Sequence, residues 1–116
     1  MVAETAKPYE LFEHTADVGI RANGRTLSEL FARMAQGLVE LIAEDSALEP
    51  LESRPIALSA EDAKGLLLAW LQELLFWFST TRFLPVRFQL AEMTPTMLRG
   101  RVIGQVFDPL QHVQGP

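Results

Sequence analysis

Cysteine is absent from all 116 residues. Its absence removes disulfides, zinc-thiolate sites and thiol nucleophiles, and fits a reducing compartment such as the cytoplasm. Basic residues are also scarce: 10 Lys and Arg stand against 15 Asp and Glu, for a net charge of -5. A protein that grips nucleic acid by releasing phosphate counterions needs the opposite balance, so strong direct RNA or DNA binding is disfavoured. The most apolar run, Gly65 to Phe78, is broken by Gln72 and Glu73 and falls short of the roughly 20 residues of a membrane span. Met1 to Pro8 has neither a basic n-region nor an apolar h-region and does not read as a secretory signal. There is no Gly-x-Ser-x-Gly, P-loop or Gly-x-Gly-x-x-Gly, so nucleophilic or nucleotide-dependent catalysis has no visible motif.

Core material, by contrast, is plentiful. Hydrophobic residues make up 48% and charged residues 22%, the balance of a soluble globular protein. The length suits one domain over residues 1–116, built in two or three layers.

Val18, Ile20 and Ala22 alternate with Gly19 and Arg21, which predicts a half-buried strand ending at an Asn23-Gly24 turn. Thr26-Leu27-Ser28-Glu29 has capping-box spacing and starts a helix. Its stripe is Leu27, Leu30, Phe31, Met34, Leu38, Leu41 and Ile42, and Gly37 within it is suited to close packing against a neighbour. After a loop from Ala43 to Leu51, Arg54 to Leu58 contains Pro55 and suits an edge strand. Ser59-Ala60-Glu61-Asp62 repeats the N-cap pattern, with two acids for the first turn of a second helix running to about Ser79. That helix is apolar over more than half its circumference and reads as central, packed on more than one side. Val86 to Leu90 and Leu98 to Val106 alternate around Thr94-Pro95-Thr96, which predicts a hairpin. The order strand, helix, strand, helix, strand, strand points to an α+β domain, a layered sandwich with two helices on a mixed or antiparallel sheet.

Polar chemistry concentrates in Glu13-His14-Thr15-Ala16-Asp17-Val18-Gly19. Asp17 reads either as a turn-forming residue or as a hard-cation ligand, and one carboxylate is not a site when calcium takes 6 to 8 oxygens. His14 reads as a hydrogen-bonded structural residue or as a catalyst, and His112 offers a second imidazole if the chain ends meet. Asp108 either pairs with one of these histidines or shapes the Phe107-Asp108-Pro109 turn. Arg87, Arg99 and Arg101 fall on the polar phase of the hairpin, as a solvated face or as a docking surface for an acidic partner or an RNA backbone.

Taken together, Tyr9, the Glu13 to Gly19 segment, the Leu27 to Leu38 helix, Glu61-Asp62, Trp70-Leu71, Glu73-Leu74-Leu75-Phe76, Gly104, Phe107-Asp108-Pro109 and His112 resemble the archease family. The resemblance implies an α+β sandwich with two sheet layers and a helical layer. It also implies a protein that is no enzyme but a cofactor of RtcB-type RNA ligases, promoting guanylylation of the ligase and multiple turnover in tRNA splicing or RNA repair. RNA would be met only through the ligase, in the cytoplasm and away from membranes. The family's divalent-cation site, with calcium the expected ion, maps in part onto Asp17, with Glu13, His14, Asp108 and His112 as candidates for a supporting polar cluster. In the family its second Asp lies in strands that follow the Asp-Pro-x-x-His segment, and it has no counterpart in the 116 residues here, where those strands are missing after Pro116. The alternative is a general chaperone or assembly module.

Overall fold

A computed structural model describes residues 14–43 and 47–108. Tyr9, Glu13 and His112, and with them part of the expected polar cluster, lie outside the described residues. The element order is β1 (His14–Asp17), β2 (Arg21–Gly24), α1 (Leu27–Ile42), β3 (Glu52–Ser59), α2 (Ala63–Thr81), β4 (Phe83–Met93) and β5 (Met97–Val106). Among the described residues all strand pairs are antiparallel: β1 with β2 in one sheet, and β3-β5-β4 in another. The expected α+β architecture is therefore present, with two helices packed on antiparallel sheets.

The first strand differs from expectation. The His14 to Asp17 stretch is itself a strand, and the chain reverses at Val18 to Ile20, where Gly19 takes φ +88°. Asn23-Gly24 is not the turn; it ends β2. A Cβ at Gly24 would lie 2.6 Å from Leu30 N, so glycine is there to let β2 touch the start of α1.

Helix α1 begins as its cap predicts. Glu29 N donates to Thr26 Oγ1 at 3.1 Å, and the Glu29 carboxylate reaches back to accept from Arg25 N at 2.6 Å. The stripe buries Leu27, Leu30, Phe31 and Met34, but Leu41 remains 70% exposed, while Val39 and Ile42 of the same turn pack against Ala43, Leu84 and Phe107.

Helix α2 starts later than its acids suggested. Pairing of β3 with β5 continues to Ser59, opposite Met97, and Ala60 N still donates to Thr96 O. Asp62 is then the cap, accepting from Gly65 N at 2.7 Å. The helix runs past Ser79 to Thr81 and stops where Arg82 turns left-handed at φ 64°.

Trp70 joins the layers. It is fully buried, its Nε1 donates to Phe31 O at 2.9 Å, and its ring lies 6.1 Å from Phe31 and 5.7 Å from Phe88. Around it gather Met34, Leu66, Leu74, Phe83, Leu98 and Val102. Among the described residues Pro55 does sit on an edge strand, since β3 pairs there only with β5, and its missing N-H costs little.

Candidate functional site

Asp17 ends β1, directly opposite Arg21. Because paired residues share a sheet face, Thr15, Asp17, Arg21 and Asn23 form the outer face of the hairpin, while Ala16 and Ala22 pack on the core. Asp17 is exposed. The hairpin is held against α1 at Gly37, where a Cβ would come within 2.7 Å of Ile20 Cγ2, so the close packing expected of Gly37 is found with the turn between β1 and β2. Beside this contact lies an open polar cleft of about 560 Å³ lined by Thr15, Arg21, Asn23, Arg33, Gln36 and Glu40, among others. Arg33 Nη1 donates to Asn23 O at 2.8 Å and Nη2 to Glu29 Oε2 at 3.4 Å, tying α1 to the backbone of β2.

His14 takes the inward phase of β1, on the same face as Ala16. Its Nε2 is buried and has no hydrogen-bond partner among the described residues. The ring borders a recess of about 170 Å³ between Phe31, Lys64 and Leu67, at the N-terminal turns of both helices. Phe107, by contrast, packs with Ala43 and Leu84 and donates its N-H to Arg82 O, at the helices' C-terminal turns. Asp108 follows it there and is half-buried, so the fold does not bring Asp108 to the Nε2 of His14.

Among the described residues, no group of three His, Cys, Asp or Glu side chains converges. Asp17 thus supplies one carboxylate, and calcium takes 6 to 8 oxygens; the described residues alone do not fit that ion. No described helix is long and apolar enough to cross a membrane.

One functional-looking residue escaped the sequence reading. Arg54 lies on the inner face of β3, its guanidinium carbon 4.1 Å from the Phe83 ring centroid and 5.6 Å from that of Trp77, with Nε 2.6 Å from Glu52 Oε2. Its alternation with Ile56 and Leu58 was the available signal, and its charge masked it. An Arg stem can cover apolar surface while its head stacks on aromatic faces.

The Archease protein family (MTH1598/TM1083) model matches residues 9–115. A protein named "Protein archease" from Sulfurisphaera tokodaii is 36% identical over 105 residues, covering 90% of this chain and 76% of that protein. Another of the same name from Saccharolobus islandicus is 38% identical over 107 residues, covering 91% of this chain and 77% of its own length. A third, from Saccharolobus solfataricus, is 36% identical over 107 residues with the same coverage.

Proposed function

The chain belongs to the archease family, and from that premise we propose that it acts without catalysis of its own, as an activator of an RtcB-type RNA ligase. In this role it promotes guanylylation of the ligase and repeated turnover in tRNA splicing or RNA repair, in the cytoplasm. The observation that carries the reading is the placement of Asp17: an exposed carboxylate on the outer face of a hairpin fixed to α1 through Gly37 and Arg33. Such a carboxylate is held in position by its scaffold yet is free to meet a partner or a cation. It is one donor of a divalent-cation site, calcium by preference, whose other donors come from outside the described residues. RNA is met through the ligase, in keeping with the net charge of -5.

The test is RNA ligation with limiting ligase, GTP and metal. The wild-type chain is expected to raise product beyond one per ligase, and Asp17→Ala to reduce that gain at least tenfold while leaving the circular dichroism spectrum unchanged. Full stimulation by Asp17→Ala would remove Asp17 from the role.

A chaperone reading draws on a separate observation, the exposed Leu68, Leu75 and Phe76 on the outer side of α2. It expects suppression of light scattering by unrelated aggregating proteins, and suppression that is unchanged in Phe76→Ser would dismiss it.

A further inference from the structure

The outer face of the three-stranded sheet carries charge of the sign the whole chain lacks. In the ladders, Arg101 stands opposite both Pro55 and Gln89, Arg99 opposite Ala57 and Glu92, and Arg87 opposite Ile103. Opposed residues share a face, so the three arginines stand together, all exposed, with Glu92 as the acid in the array. The face has two positive charges in excess, on a chain whose net charge is -5.

The guanidinium groups are not all neutralised. Arg101 is steadied by donating Nε to Ser53 Oγ at 2.6 Å and Nη2 to Ser53 O at 3.4 Å, contacts that leave its charge uncompensated. Arg99 meets Glu92 at 3.4 Å, but both side chains are more than half exposed. An exposed pair of that kind contributes little and yields readily to a stronger anion.

The surroundings discriminate between partners. Protein interfaces draw their energy from buried aromatic and aliphatic anchors. Of the exposed large apolar side chains among the described residues, Leu51 borders the face, in phase with Ser53 at the start of β3 and donating its N-H to Gly104 O, while Val18, Leu41, Leu68, Leu75, Phe76 and Val106 lie elsewhere. A phosphodiester backbone needs no such anchor; guanidinium forks suffice. Arg99 and Arg101 are two residues apart on one strand, about 6.6 Å, and Arg87 lies on the neighbouring strand, so the three present a row and not a single pocket.

We propose that this face holds the sugar-phosphate backbone of the RNA already bound to the ligase, one phosphate to each of Arg87, Arg99 and Arg101. The inference rests on the ligase-activator reading. With no exposed aromatic on the face to stack bases, the contact is independent of sequence. The acidic remainder of the chain keeps its own affinity for RNA low, and the ligase, by holding the RNA alongside, supplies the effective concentration that makes three weak contacts count.

Two measurements test it with the whole chain, comparing wild type with the triple variant Arg87→Gln, Arg99→Gln, Arg101→Gln. In stimulated ligation, the variant is expected to raise the RNA KM about tenfold while kcat and RNA-free guanylylation of the ligase stay at wild-type levels. Equal KM values would overturn the proposal, and loss of guanylylation would place the arginines on the ligase surface instead. In the second, the chain alone is titrated at low salt with a single-stranded decaribonucleotide and followed by amide NMR shifts. Shifts confined to residues 87–103 and to β3, absent in the variant, support the face. The slope of log K against log salt should be about -2, as three single-strand phosphates require. Shifts elsewhere, or equal displacement by polyglutamate, overturn it. If wild type fails to stimulate the ligase, the activator reading falls, and the titration decides on the face separately.

Discussion

Helix α1 carries its apolar residues on one stripe, whereas α2 is apolar nearly all round, and the fold treats them in the reverse of what that difference suggests. The striped helix touches both sheets: its buried side packs toward β4, and Gly37 lets the β1-β2 hairpin approach at its turn from another side. The uniformly apolar helix rests on the three-stranded sheet and α1, leaving Leu68 39%, Leu75 45% and Phe76 59% exposed on its far side. So the expectation that α2 is packed on more than one side is met by the sheet and α1, but not around its full circumference. A wide apolar surface states what a helix is able to bury; which neighbour arrives depends on backbone approach, and a single glycine can admit one where a broad stripe does not.

The largest test of this comparison strikes what the two helices share. Trp70→Ala removes a fully buried ring and the hydrogen bond to Phe31 O that fastens α2 to α1. Large-to-small core substitutions of this kind cost about 3–5 kcal/mol, much of the stability of a small domain. Urea unfolding is expected to show that loss, and a loss under about 1 kcal/mol, the size of an ordinary surface change, would mean the helices do not depend on this residue.

A smaller effect sharpens the role of Gly37. In a helix interior Ala is favoured over Gly by about 1 kcal/mol, yet here its Cβ would press on Ile20. Gly37→Ala is expected to destabilise by about 1 kcal/mol in the wild type and to stabilise by a similar amount in an Ile20→Ala background, the coupling expected of residues in contact. A double-mutant cycle with no coupling would show that the β1-β2 turn does not rely on the missing Cβ.

The smallest effect belongs to the outer side of α2. Phe76→Ser is expected to change unfolding free energy by no more than about 0.5 kcal/mol, the range of ordinary surface substitutions. A loss of 2 kcal/mol or more would reveal that Phe76 is covered in solution, and the contrast between the helices would disappear.

Much of the fold could be read from local chemistry. Thr26 and Glu29 announced the start of α1, Pro55 announced an edge strand, and Thr94-Pro95-Thr96 announced the β4-β5 hairpin, where Thr94 N donates to Met97 O at 2.8 Å. Each signal works within a few residues, so the tertiary structure had nothing to overrule. The misreadings came where a distant neighbour decided. Asn23-Gly24 looked like a turn, but Gly24 is required by the nearby Leu30 backbone. Ser59 looked like a cap, but pairing with Met97 claimed it for β3. Of the candidate site, the polar segment was found from sequence, including Asp17. The inward turn of His14 and the separation of Asp108 from its Nε2 were not, because they depend on how β1 and the end of β5 sit at opposite ends of the helices.

The sequence by itself determined the helices, the second hairpin, the acidic balance and the family, since capping, periodicity, composition and ordered motifs are properties of the chain alone. Only the tertiary structure decided that Asp17 faces outward while His14 faces in, and that Arg54 stacks on Phe83 and Trp77; that Arg87, Arg99 and Arg101 share one face was already legible in the alternation, and the register set that this face points away from the core. Those are matters of strand register and of which face meets the core. A shift of one residue would have inverted each of them.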